Sequence, residues 1–371
     1  MIKIGIIGGG QLGKMMILEA KRLGLYIAVL DPGEFCSASS ICDRLIVSSF
    51  DDPSGYYELA KHVDIITYEF EHINVQALEK LEQKGHTIYP SVKALKIIQN
   101  KFSQKTMLKQ NGLPVPRFLS IKTMNDIIKA GEVFGYPMML KATKGGYDGK
   151  GNALIESEND ITSAFIKLGA VELMVEEYIH FDKEVSVIAC RGIDGKRVVY
   201  PVAENIHSNS ILDMTIVPAD INEQVKNTSM SIAAKVMEVF KGVGTFCVEL
   251  FIKDNIVYVN EVAPRPHNSG HYTIEGCFAN QFENHIRAIA GLPFGCTKLI
   301  QPTVMVNLLG TGDGPAVLNG LYEAYKYENV HVHVYGKRQS KTGGKMGHFT
   351  VIGDDSIQKA KELKKIISIG V

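Results

Sequence analysis

The sequence has no excess charge: forty basic residues balance forty acidic ones among 371. Proteins that find nucleic acid or a membrane surface by bulk charge keep an excess of one sign, so those partners are excluded. A phosphate-bearing ligand must then be held by local groups. No apolar run approaches the roughly 18 residues of a spanning helix. The opening Met1-Ile-Lys-Ile-Gly-Ile-Ile-Gly reads as a strand and lacks the basic and apolar regions of a signal peptide. Cysteine is scarce and scattered (Cys36, Cys42, Cys190, Cys247, Cys277, Cys296), with no C-x-x-C pair, which removes the usual zinc and redox motifs. Such usage fits a reducing compartment. Internal repeats and low-complexity linkers are lacking too. A composition of 45% hydrophobic and 22% charged residues excludes disorder, collagen and coiled coil. At about 150 residues per domain the length gives two or three domains. The expectation is a cytoplasmic enzyme.

Strands and helices alternate over the first 95 residues or so. Ile4 to Ile7 is an apolar strand, Leu12 to Leu23 a helix, and Ile27 to Leu30 a strand stopped by Asp31-Pro32. Arg44 to Val47 and Ile65 to Tyr68 read as buried strands, and Val75 to Lys84 as a helix before Ile88-Tyr89. Short apolar runs spaced by helices indicate a parallel, doubly wound α/β sheet. Ser91 to about Pro116 reads as helical, ending at Asn111-Gly112. Beyond Pro137 the strands come in hairpin-like pairs: Met138 to Lys141 with Asn152 to Ile155, Glu184 to Cys190 with Arg197 to Pro201, and Thr245 to Ile252 with Ile256 to Val262. Such meanders make the middle of the chain α+β. A smaller tail from about residue 300 carries the alternating Val330-His-Val-His-Val334, a basic glycine-rich loop over Lys337 to His348, and a final Lys-rich helix.

Gly8-Gly-Gly-Gln-Leu-Gly13 fits G-x-G-x-x-G between a strand and a helix. It admits a dinucleotide, another phosphate ester, or a structural turn. Lys141-Ala-Thr-Lys-Gly-Gly-Tyr-Asp-Gly-Lys-Gly151 is no Walker A loop, yet four glycines with lysines suit a flap over a triphosphate. Glu249 and Glu261 are symmetric about residue 255. A hairpin with a three-residue loop puts them opposite each other, where a cation, best Mg²⁺, relieves their repulsion. The alternative is a pair of solvent-facing carboxylates. Asn260-Glu-Val-Ala-Pro-Arg-Pro-His-Asn-Ser-Gly-His271 leaves that strand as a donor-rich loop presenting Arg265, His267, Asn268, Ser269 and His271 to anions.

Residues in this order resemble the ATP-grasp superfamily, and within it the 5-(carboxyamino)imidazole ribonucleotide synthases of purine biosynthesis. The resemblance rests on G-G-G-Q-L at the start, Y-E-F-E at 68–71, G-G-Y-D-G-K-G at 145–151 and N-E-V-A-P-R-P-H-N-S-G-H at 260–271. It implies a Rossmann-like N-terminal domain (1–98), a central ATP-grasp domain (99–297) and a small C-terminal domain (298–371). The implied reaction uses ATP, Mg²⁺ and bicarbonate to carboxylate aminoimidazole ribonucleotide through carboxyphosphate, in a homodimer.

Carried over by position, Lys101 and Lys141 contact ATP phosphates under a flap of Gly146, Tyr147, Asp148, Gly149, Lys150, Gly151 and Asn152. Glu176, Glu177, Tyr178 and Ile179 meet adenine and Glu184 the ribose, with His207 and Asn260 lining the site and Glu249 and Glu261 holding Mg²⁺. Gln11, Leu12, Glu71, Tyr147, Arg265, His267, Asn268, Ser269, Lys337 and Lys345 serve the ribonucleotide. Asp148 is the expected general base, with Tyr147, Arg265 and Lys337 also catalytic. Gly344 stands where the family usually has arginine, and Lys345 or Arg338 is the expected substitute. The rival functions are a related ligase acting on glycinamide ribonucleotide with formate, an NAD(P)-linked oxidoreductase, and a non-catalytic nucleotide-binding regulator.

Overall fold

The computed structural model describes residues 2–146, 151–169 and 171–370. Tyr147, Asp148, Gly149 and Lys150 therefore lie outside the described residues. No helix among those described is long and apolar enough to cross a membrane.

The N-terminal strands form a five-stranded parallel sheet in the order Arg44–Val47, Tyr26–Asp31, Lys3–Ile7, Ile65–Tyr68, Thr87–Ile88. The central strand Lys3–Ile7 pairs with Tyr26–Asp31 on one side and Ile65–Tyr68 on the other, so the strand order reverses there. A crevice opens at the carboxyl ends of strands at such a switch point, and ligands of open α/β sheets bind in it. Both Gly8–Gly13 and Glu69–Glu71 leave the sheet at that point. Arg44–Val47 departs from the expected burial. It is the edge strand, covered on one side only, and Val47 is half exposed.

The helical stretch after Ser91 is two helices, Val92–Ile98 and Lys101–Gln110. The break is at Asn100, whose side chain accepts from the Ser103 amide and starts the second helix. Lys101 thus sits at a helix start, turned toward the following lobes.

Two antiparallel sheets follow. The smaller has four strands in the order Phe118–Ile121, Leu173–Glu177, Met138–Ala142, Asn152–Ile155, sharing a core with the helices Met124–Phe134 and Ile161–Leu168. The larger has nine strands. Its path runs Ile256–Ala263, Gly244–Lys253, Lys183–Arg191, Ala203–Ser208, Ile211–Val217, Thr303–Leu309, Lys345–Ile352, Val330–Val334, with Arg197–Val199 branching from Lys183–Arg191. The last three strands on that path come from the tail, so the C-terminal part continues the central sheet. The tail loop over 337–348 is also shorter than expected, because Lys345–Ile352 is a strand.

The hairpin at Asp254-Asn255 corrects a second expectation. Its loop has two residues, both left-handed (φ 49° and 65°), and Lys253 pairs with Ile256. Left-handed conformation at both central residues matches the right-handed twist of the flanking strands. Continued regularly, that register would set Glu249 against Asn260. Instead Leu250 pairs with Val259 and Glu249 with Glu261, so Asn260 is the extra residue of a bulge. The two carboxylates face each other because of the bulge.

Candidate active site

A cleft of about 710 Å³ runs from the N-terminal crevice to the large sheet. At one end it is lined by Gly10, Gln11, Leu12, Glu71, Arg265, His267, Asn268, Lys337 and Lys345. Gly146, Asn152, Glu184, His207, Glu249, Asn260 and Glu261 line the other. Two groups of expected site residues thus meet in one space.

The glycine loop is filled from within. The Glu69 carboxylate accepts the amides of Gly10 (2.7 Å) and Gly13 (2.6 Å), and Asp31 accepts that of Gly9 (2.8 Å). A Cβ on Gly8 would lie 2.3 Å from the Glu69 side chain, and one on Gly10 2.6 Å from it. The glycines therefore admit a carboxylate of the protein itself, where a dinucleotide would place its pyrophosphate. Burial pushes the Glu69 carboxyl up, against the two amide hydrogen bonds. Sequence reasoning quoted Glu69 within Y-E-F-E but gave it no role.

Carboxylates also hold the cations. Arg265 donates to Glu71 from two nitrogens, at 2.6 and 3.2 Å. Burial works to raise the Glu71 carboxyl, but the guanidinium overrides it and holds the group at about 2. Lys101 is paired with Glu261. Lys141 and Lys105 share Glu176, at 2.8 and 3.1 Å. Burial is again outweighed, by the two ammoniums, and Glu176 lies at about 2. Lys105 was missed by sequence reasoning; fully enclosed, it is lowered to about 8 by burial. Its signal was only an amphipathic helix, where a lysine is ordinarily solvent-facing.

Glu249 differs from these. Burial, then Glu184, then Glu261 push its carboxyl up to about 8. Its nearest basic contact is the His267 ring, with Nε2 at 3.5 Å. A half-buried carboxylate facing a second one, with a histidine ring and no lysine or arginine as its ion-pair partner among the described residues, is a position a dication would relieve. Glu184 lies 3.2 Å from His207 Nδ1. Burial lowers the His207 ring, while Glu184 and Glu249 more than offset it.

Asn268 is buried, and neither atom of its side-chain amide has a partner among the described residues. Asn268 lines the cleft, so its unpaired amide is a donor and acceptor that a small side-chain movement would offer to a polar ligand. Ser269 lies behind: its hydroxyl is 2.9 Å from His267 Nδ1 and accepts from Ser186 at 2.8 Å. His271 is turned away from the cleft, buried and stacked on His348 with ring centroids 4.6 Å apart. Lys337 donates to the Lys345 carbonyl at 2.8 Å. Arg338 is stacked over Phe35, which leaves Lys345 as the cleft-lining cation beside Gly344. Glu177 is engaged by Arg117 at 2.5 Å, and Tyr178 packs edge-on against His180, with ring centroids 4.8 Å apart. Gly151 and Ile179 do not line the cleft. Phe181 and Phe251, stacked 4.6 Å apart, do line it and were not foreseen.

Three family models match along the chain. They are a ribonucleotide synthetase preATP-grasp domain over 1–99, an ATP-grasp domain over 106–282, and a phosphoribosylaminoimidazole carboxylase C-terminal domain over 303–362. A relative from Staphylococcus aureus, N5-carboxyaminoimidazole ribonucleotide synthase, is 41% identical over 363 residues, covering 97% of this chain and 95% of its own. The chain belongs to the N5-carboxyaminoimidazole ribonucleotide synthase family. Its solved relatives include the synthetase from Thermotoga maritima, at 44% identity with a TM-score of 0.91, covering 100% of this chain and 99% of that one. The synthase from Aspergillus clavatus, in complex with ADP and 5-aminoimidazole ribonucleotide, is 34% identical with a TM-score of 0.91, and 98% of each chain is covered. The family architecture is the expected one, α/β and α+β: an N-terminal preATP-grasp part, a central ATP-grasp part and a C-terminal part.

Proposed function

We propose that this chain carboxylates the exocyclic amine of 5-aminoimidazole ribonucleotide with bicarbonate and ATP, giving ADP and phosphate. The observation that carries the reading is the shared cleft: the Glu249–Glu261 pair and the donor loop Arg265–Asn268 open into the same space. The donor set of two opposed carboxylates with Asn260 beside them fits Mg²⁺, a hard cation that takes oxygen ligands. When bound, Mg²⁺ would supply neutralisation of charge on the transferring phosphoryl group.

In this reading a bicarbonate oxygen attacks the γ-phosphorus and ADP leaves, forming carboxyphosphate. The substrate amine then attacks the carboxyl carbon, loses its proton, and phosphate departs. Lys101 and Lys141 exchange their carboxylate partners for phosphate oxygens, under the flap from Gly146 through Asn152. Glu184 takes the ribose, and the segment Glu176 to Ile179 meets adenine. Gln11, Leu12, Glu71, His267, Asn268, Lys337 and Lys345 hold the ribonucleotide, with Ser269 steadying His267. Arg265 holds the carboxyl donor, and Asp148, with Tyr147 beside it, takes the amine proton. Mg²⁺, a homodimer, a cytoplasmic setting and domain limits near residues 98 and 297 belong to the same proposal. The related formate-dependent ligase is the second reading; the names of the relatives favour the first.

The test is phosphate release from ATP in the presence of bicarbonate, with and without aminoimidazole ribonucleotide. Release that rises with the ribonucleotide, together with carboxylated product, is expected. Product formed from formate and glycinamide ribonucleotide instead would overturn the reading.

A further inference from the structure

Cys247, Glu249 and His267 bring three different metal-binding chemistries together, with ligand atoms all within 4.8 Å of one another. No C-x-x-C spacing in the sequence announces them. Strand alternation puts Cys247 and Glu249 on the same face of Gly244–Lys253, and the loop after the neighbouring strand brings His267 over them. We propose that these three residues form a binding site for a soft divalent cation of the zinc type, distinct in chemistry from the oxygen-rich magnesium position beside it.

The geometry is close to what zinc needs. With zinc–sulfur near 2.3 Å and zinc–nitrogen near 2.0 Å, tetrahedral ligands stand roughly 3.2–3.8 Å apart. His267 Nε2 and the Glu249 oxygen are already 3.5 Å apart. The sulfur lies within 4.8 Å of both.

Ser269 supplies the outer support for two of the three ligands. Its hydroxyl lies 2.9 Å from His267 Nδ1 and 3.6 Å from the Cys247 sulfur, while accepting from Ser186 at 2.8 Å. At present Nδ1 accepts from the Ser269 amide at 3.3 Å. Metal binding at Nε2 would move the ring proton to Nδ1, where the Ser269 hydroxyl can accept it while donating its own proton to the thiolate. Outer-shell partners of this kind fix ligand tautomer and orientation. The charges also close: one thiolate, one carboxylate and one neutral imidazole against a dication sum to zero, which suits a site whose sulfur is buried and whose other two ligands are half-buried. On binding, the cysteine S–H bond breaks, a sulfur–metal bond forms, and the proton leaves to solvent. Thiolate and imidazole favour zinc, whereas magnesium prefers carboxylate and water.

Glu249 is common to both positions, so zinc should inhibit; that part rests on the proposed magnesium role of Glu249. The binding itself does not. The experiment adds Co²⁺ to the nucleotide-free enzyme and follows the near-ultraviolet sulfur-to-cobalt charge-transfer band. The expected result is one band-forming ion per chain, displaced by Zn²⁺ and lost in both Cys247→Ala and Cys247→Ser. Both variants should melt like the parent, keep its phosphate release, and need roughly tenfold more Zn²⁺ for half-inhibition, about 1.4 kcal/mol of binding. Absence of the band in the parent, or its persistence in both variants, would overturn the site. Zinc inhibition unchanged in the variants would overturn its role in inhibition.

Discussion

Glu69 sits against the start of the first helix with a carboxylate oxygen 2.6 Å from the amide of Gly13. The same carboxylate holds Gly10, so the loop that resembles a dinucleotide fingerprint is closed by its own chain. Fluorescence titration with NADH and NADPH should show no saturable site. Glu69→Ala leaves two amides unpaired, that of the buried Gly13 costing about 1–3 kcal/mol and that of the cleft-lining Gly10 less. A melting temperature close to the parent's would show that the carboxylate does not organise this loop.

Glu249→Gln and Glu261→Gln keep shape and remove one charge from the opposed pair. Turnover should fall on the order of 10²-fold, the scale of a single charge-stabilising group. Because Lys101 is paired with Glu261, that variant should in addition alter the ATP concentration dependence. Near-parental turnover of Glu261→Gln at limiting Mg²⁺ would contradict the assignment.

Asp148→Asn should lose roughly 10²–10⁴-fold in carboxylation if Asp148 is the base. Cleavage of ATP needs no proton from the amine and should suffer less, so the variant should hydrolyse ATP without transferring the carboxyl group. Parallel loss of both activities would instead make Asp148 a positioning residue.

Lys14 ties the first helix to the C-terminal part, donating to the carbonyls of Val334 (3.1 Å) and Tyr335 (3.3 Å) just before Lys337. It should act by positioning. Lys14→Ala should raise KM for the ribonucleotide by roughly tenfold, about 1.4 kcal/mol, with KM for ATP unchanged. Lys14→Arg should restore it in part. Equal changes in both KM values would indicate general loosening.

His285 is fully buried, receives the Thr245 amide on Nδ1 (3.1 Å), and has Nε2 2.9 Å from the Thr67 hydroxyl. Burial lowers its pKa to about 3. The unfolded chain takes up this proton near the ordinary histidine value and the folded chain does not, so the folded state loses stability as pH falls from about 6.5 toward 3. The slope is about 1.4 kcal/mol per pH unit from this group. Urea unfolding across that window should be less steep in pH for His285→Gln than for the parent. An equal slope would remove His285 as the cause.

Much of this molecule was legible because periodicity and loop chemistry are local. The strand at Ile4–Ile7, the three hairpin pairs and the donor loop after Glu261 could be read from neighbours in sequence. What escaped depends on distant partners. Nothing near Lys105 says that Glu176 will bury it, and nothing in Gly8–Gly13 says that Glu69 will fill it. The Glu249–Glu261 pairing was reached through a three-residue loop that does not exist; the bulge at Asn260 supplied the missing residue. A bulge shifts the alternation by one residue. In an eight-residue strand the only trace is two polar neighbours, Asn260 and Glu261, too short a signal for pattern alone to place it.

The nine-stranded sheet bears on how this gene could be recombined. Ile211–Val217 hydrogen-bonds to Thr303–Leu309 through the pairs Met214–Val306, Thr215–Met305, Ile216–Val304 and Val217–Thr303. Grafting the last seventy or so residues from a relative would join two halves of one ladder rather than two finished bodies. Such a chimera succeeds only when the incoming strand matches both the register and the side-chain volumes that face Met214 and Ile216. Crossovers should therefore be tolerated more readily in the segment joining the first sheet to the helix at Lys101 than at the start of the tail.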